Sequence, residues 1–269
     1  MKKSIFIVLV YFALQVLAAF VVKGGVALYQ FIYKGVIVAN LSLAEIILSL
    51  ILSMLFMVIF LRWRKLIPAT KEEWSIPSPT IPYLVLLLLS TLSSVFLLDC
   101  FMYYLDFLPD LNKQTFDVIL TSFWGIIAVT LIGPLVEELV FRGAITQFLL
   151  EKYHAKTAIV ISGAIFGLVH MNPVQAVGGF LFGLLLAWVY YKTKSILPVL
   201  FIHIINNSLS VILGEQYAHA DTLRDLFTPS FYWMLVILSV LLLVTSLILL
   251  NKFTTSPFLI KKEKDTSLR

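Results

Sequence analysis

The sequence predicts an all-α fold: a polytopic membrane helix bundle of about eight transmembrane helices, with the N-terminus and C-terminus cytoplasmic. Three observations predict it. The chain of 269 residues is 60% apolar and 13% charged, and its mean hydropathy of +0.98 lies far outside the range of soluble domains. Its apolar residues gather in runs near the roughly 20 residues that cross a hydrocarbon core. Its basic residues crowd into alternate gaps between those runs.

The first run covers 4–22. Met1, Lys2 and Lys3 before it imitate a secretory signal, yet the run exceeds the usual stretch of about 7–15 residues and lacks a small-x-small cleavage site, so it reads as a retained helix. The second, 43–61, follows Ser42 with Glu45 three residues on, a capping box that accounts for this glutamate. A basic and then proline-rich stretch, 63–82, belongs at the cytoplasmic interface and leads into the third run, 81–98. Runs 116–132 and 135–150 are separated only by Gly133 and Pro134 and merge into one broken helix. Runs 158–171, 174–191, 196–213 and 231–250 complete the eight. Gly163 with Gly167, and Gly179 with Gly183, form two GxxxG patterns that let neighbouring backbones approach closely. Tyr33, Trp63, Trp74, Tyr190, Tyr191, Tyr232 and Trp233 flank the runs as interfacial aromatics do. Cys100, the single cysteine, excludes an internal disulfide and reads as a small packed residue.

Orientation explains the net charge of +5. With the N-terminus inside, the cytoplasmic segments collect Lys2, Lys3, Arg62, Arg64, Lys65, Lys71, Lys152, Lys156, Lys192, Lys194, Lys252, Lys261, Lys262, Lys264 and Arg269. The outer loops keep Lys34, Lys113 and Arg224, as the positive-inside rule requires. The charge therefore calls for a lipid bilayer as partner and for no nucleic acid, and the expected location is the cell membrane.

Six polar residues interrupt this pattern: Glu137, Glu138 and Arg142 in the broken helix, His170 in the next run, and His203 with Asn207 in a third. Ionisable groups within lipid cost about 2.5–3.5 kcal/mol or more each unless they face one another or a wet cavity, so they mark a functional site. Neighbours on a helix point about 100° apart, so the two glutamates differ in role. Arg142 follows Glu138 by four residues, the spacing of a same-face ion pair, which leaves Glu137 as the candidate general base. His203 and Asn207 share a face and offer paired hydrogen-bond donors for an oxyanion. Phe166 and His170 repeat the spacing, with the ring beneath the imidazole. At about 1.5 Å per residue, Glu137 and His170 lie roughly 21–23 Å from the cytoplasmic ends, and Asn207 and His203 about 16 and 10 Å, so tilt or an earlier helix start must close the gap.

A base, a second imidazole and paired donors fit hydrolytic acyl transfer. A proton-coupled transporter uses the same residue types, but the chain lacks matching interrupted helices in two halves. A noncatalytic immunity or peptide-binding membrane protein is the other alternative.

The motifs EELVFR (Glu137, Glu138, Arg142), FGLVH (Phe166, His170) and HIINN (His203, Asn207) resemble the EExxxR, FxxxH and HxxxN of the CAAX prenyl endopeptidase and bacteriocin-processing (CPBP, or Abi) intramembrane proteases. The resemblance covers roughly 116–213 of a single transmembrane domain, 1–269; no motif matches the first three helices or the last. It implies an endopeptidase acting on a membrane-associated, possibly lipidated, peptide or protein, in CAAX-type maturation, in bacteriocin or pheromone processing, or in self-immunity. Glu137 and His170 would activate water, His203 and Asn207 form the oxyanion hole, and Glu138, Arg142 and Phe166 give structural support. Many such enzymes are still labelled metalloproteases. No HExxH pair is present, so the expectation is a metal-free site, the alternative being zinc held by Glu137, His170 and His203 from three helices.

Overall fold

The computed structural model describes residues 1–36, 38, 40–76, 80–216 and 223–253, and every regular element among them is helical. The principal helices are α1 (Lys2–Lys34), α2 (Leu43–Trp63), α3 (Ile81–Tyr103), α4 (Lys113–Leu120), α5 (Phe123–Lys152), α6 (Ala155–Leu168), α7 (Pro173–Thr193), α8 (Ile196–Gln216) and α9 (Pro229–Phe253). All but α4 and α6 are long and apolar enough to cross a bilayer, seven in total. The eighth expected span, α6, has 14 residues; at about 1.5 Å each it falls short of a hydrocarbon core of about 30 Å. Bulky apolar side chains cover the bundle's outside, among them Phe20 on α1 and Ile237 on α9, as lipid contact demands.

Helix α1 continues well past the end of its apolar run. Lys23 interrupts the run but not the helix, because its ammonium pairs with Glu45 at 3.2 Å and donates to the carbonyls of Val38 and Asn40. Gly35, at φ 66°, closes the helix in a left-handed cap. Glu45 also completes the capping box, its Oε2 accepting from the Ser42 N–H at 2.8 Å while Ser42 Oγ accepts from the Glu45 N–H at 3.3 Å.

The fourth expected helix differs from its run at both its start and its middle. Residues 113–120 form the separate amphipathic helix α4, and α5 begins after a break at Thr121 and Ser122. Gly125 makes the break possible: a Cβ there would collide with the Ile119 carbonyl. At Gly133 and Pro134, where the sequence suggests a break, α5 instead runs on through a π-helical stretch, Ala128–Ile132. The Gly133 N–H donates five residues back to Ala128 O, and Pro134 has no N–H to give. The Val129 carbonyl is thereby left without a main-chain donor. A second π stretch, Leu139–Thr146, follows the glutamates. There the Thr146 hydroxyl donates to Phe141 O at 2.7 Å and meets Ser162 Oγ of α6 at 2.6 Å.

The two GxxxG patterns do bring backbones together. A Cβ on Gly183 would lie 3.1 Å from the Gly163 Cα, and one on Gly179 would lie 3.2 Å from the Gly167 Cα, so α6 and α7 form a tight hairpin. At the face where α1 begins and α9 ends, here the terminal face, residues 64–76 fold back beneath α8. Ser195 Oγ donates to Glu73 O at 3.2 Å and to Ser75 O, Trp74 Nε1 donates to Pro68 O at 2.9 Å, and Pro68 packs on Gly143. Tyr33 and Trp63 are exposed at span ends as expected, whereas Tyr190 and Tyr232 are buried inside the bundle, and Cys100 is half-buried. Lys261, Lys262, Lys264 and Arg269 lie outside the described residues.

Candidate active site

A cavity of about 500 Å³ enters the bundle, and Glu137, His170, His203 and Asn207 all line it. They arrive from α5, the turn after α6, and α8. Glu138 and Arg142 do not reach it; both side chains are fully buried and pair at 3.1 Å. The helical separation of the two glutamates thus appears in space: Glu137, 23% exposed, faces the cavity and Glu138 faces the core.

His203 stands between the two carboxylates. Its Nδ1 donates to Glu138 Oε1 at 2.6 Å, and its Nε2 lies 3.7 Å from Glu137 Oε2. Glu138 therefore orients an imidazole as well as pairing with Arg142, a role that spacing within one helix cannot reveal because the partner comes from another. The Arg142 guanidinium lies 4.2 Å from the Phe166 ring centroid. Its Nε and Nη2 have no hydrogen-bond partner among the described residues.

Phe166 meets both imidazoles edge-on, at 5.2 Å from His170 and 5.8 Å from His203, with interplanar angles of 81°. This replaces the expected packing beneath His170. His170 itself is not on a helix. Helix α6 ends at Leu168, Met171 adopts φ 50°, and Pro173 opens α7, so the histidine lies in the turn. Its Nδ1 contacts Phe166 O at 2.7 Å. A carbonyl only accepts, so Nδ1 carries a hydrogen, and in the neutral ring Nε2 keeps the lone pair. Buried Asn172 holds the turn, donating to Asp110 Oδ1 at 2.7 Å and accepting from the Leu111 N–H at 3.3 Å. Neither Asp110 nor Asn172 was singled out in the sequence, since a contact 62 residues apart leaves no local pattern.

Asn207 answers the carbonyl stranded by Gly133 and Pro134: its Nδ2 donates to Val129 O at 2.9 Å. Asn206 Nδ2 donates to Asn207 Oδ1 at 3.1 Å, which fixes the amide's orientation and leaves its second N–H without a partner among the described residues. The depth mismatch is closed, as the contacts of His203 with both glutamates show. Helix α8 begins at Ile196 as expected, so an earlier start is not the reason. Helix α5 instead runs further toward the terminal face, and residues 64–76 fill the space below α8.

Among the described residues, no three His, Cys, Asp or Glu side chains are arranged to hold a metal ion. The Nδ1 atoms of His170 and His203 are engaged by Phe166 O and Glu138. These bonds engage one nitrogen of each ring and leave both Nε2 atoms available, as in imidazoles that ligate a metal.

The model of a family described as type II CAAX prenyl endopeptidase Rce1-like matches residues 119–209. A Bacillus subtilis (strain 168) protein named "Putative membrane peptidase YdiL" is 33% identical over 102 residues, a match covering 38% of this chain and 42% of that protein. The chain thus spans about two fifths of that curated relative's length. No solved structure matches. The matched segment contains all three motifs and the cavity-lining Glu137, His170, His203 and Asn207, and it is this part of the chain that is similar to the CAAX prenyl endopeptidase family.

Proposed function

We propose that the protein is an intramembrane endopeptidase that hydrolyses a peptide bond of a membrane-associated peptide or protein without a metal ion. One observation carries this reading: Glu137, His170, His203 and Asn207, distant in sequence, converge on a single cavity cut into an otherwise apolar bundle. Glu137, aided by the His170 Nε2 lone pair, accepts a proton from water as the water oxygen bonds to the scissile carbonyl carbon. The carbonyl oxygen becomes an oxyanion and receives hydrogen bonds from the second Asn207 N–H and, when His203 is imidazolium, from its Nε2–H. The C–N bond then breaks, and the proton held by Glu137 passes to the departing amine, which leaves a free carboxyl and a free amino terminus.

Glu138 and Arg142 position this apparatus from behind, the former through His203 Nδ1. Comparative peptidomics of membranes carrying wild-type protein or Glu137→Ala tests the reading: new peptide termini should require Glu137, and identical termini in both would overturn it. The metal-free mechanism is tested on purified protein by elemental analysis and chelator treatment. Activity should persist; stoichiometric zinc whose removal abolishes cleavage would place Glu137, His170 and His203 around a metal instead.

A further inference from the structure

The cavity has a direction. Most of its lining comes from the parts of the helices that lie toward the face opposite the terminal face. Helix α2 contributes Leu50 from its first half and Met54 from its middle, α3 contributes Leu98 and Met102 from its last turns, and α7 contributes residues from Val174 to Phe182, its first half. Helix α8 contributes His203 short of its middle, Asn206 and Asn207 at the middle, and Ser210 and Val211 beyond it. Toward the terminal face the bundle is closed: Phe141, Arg142, Ile145 and Leu149 of α5, with Leu186 and Tyr190 of α7, are at most 1% exposed. Residues 64–76 lie beneath α8 on that side. At the other end, amphipathic α4 borders the mouth, turning Phe116, Ile119 and Leu120 inward while Lys113 and Asp117 stay exposed.

Charge distinguishes the two faces. The terminal face bears Lys2, Lys3, Arg62, Arg64, Lys65 and Lys152 among others, whereas the opposite face has Lys23, Lys34, Lys113 and Arg224, with Lys23 already paired to Glu45. Such an imbalance places the terminal face in the cytoplasm. We infer that the site opens to the extracytoplasmic side and takes as substrate an exported, membrane-bound peptide or the outer end of a transmembrane segment. A cytosolic C-terminus, a prenylated one included, meets the closed face. The inference rests on the peptidase reading for its substrate but on packing and charge for its direction.

The test labels single cysteines in a Cys100→Ser background with a membrane-impermeant maleimide, in right-side-out and inverted vesicles. Ser210→Cys and Met102→Cys report the mouth, and Lys156→Cys reports the terminal face. The mouth positions should react in right-side-out vesicles and Lys156→Cys in inverted ones. Mouth cysteines that react from the same side as Lys156→Cys, or from neither side, overturn the inference. Peptidomics then maps the Glu137-dependent termini, which should fall on extracytoplasmic ends of membrane segments. Glu137-dependent cuts on cytosolic segments overturn the substrate assignment and spare the peptidase reading. Outward labelling with no Glu137-dependent terminus overturns the peptidase reading, and the substrate assignment with it, while the direction of the opening stands.

Discussion

Glu137 and Glu138 are adjacent, chemically identical, and placed in opposite surroundings, so their substitution should separate chemistry from folding. Glu137→Gln should lower cleavage by about 100-fold or more, in the range of a lost general base, with an unchanged thermal midpoint in detergent. Arg142→Ala should cost about 3–5 kcal/mol, because Glu138 loses its guanidinium partner within the core and keeps the His203 Nδ1–H alone, and a lower unfolding midpoint would register it. Pro134→Ala supplies an N–H that competes with Asn207 for the Val129 carbonyl. The expected result is a reduced kcat with little change in KM, measured by steady-state cleavage. Much at this scale was legible: i,i+4 spacing paired Glu138 with Arg142, and the 100° step freed Glu137. The His203–Glu138 bond and the Asn207–Val129 bond were not, since each joins segments far apart in the chain and depends on the path taken between them.

Helix α6 and its partner α7 show how an element holds a side chain that lies beyond its own end. The turn carrying His170 is fixed by glycines that let two backbones touch and by Asn172 reaching Asp110. A Cβ on Gly167 would strike the Ala176 carbonyl and come 2.8 Å from the Phe180 nitrogen. Gly167→Ala should therefore destabilise the protein by about 1–3 kcal/mol, the usual cost of overpacking. Gly178→Ala, with nothing within 4 Å of the added Cβ, should leave the thermal midpoint unchanged. Hydropathy located the long helices because lipid demands it of every residue they expose. It could not see the break between α4 and α5, where only the small polar Thr121 and Ser122 interrupt an apolar run, nor the π stretches, which arise from hydrogen-bond register and leave no mark on composition.

For the molecule as a whole, the polar centre is legible in the sequence and its access route is not. Charge asymmetry gives an orientation and the motifs give a centre, yet which end of the bundle is filled depends on how residues 64–76 fold against Gly143 and Ser195. The outer surface holds a further consequence. Helix α6 turns Val160 and Leu168 outward, yet at 14 residues it stops short of a full crossing. Acyl chains resting against so low a wall shorten or tilt to match it. A bilayer matched to that wall would thin beside the His170 turn and bring headgroups with their hydration water nearer to Glu137.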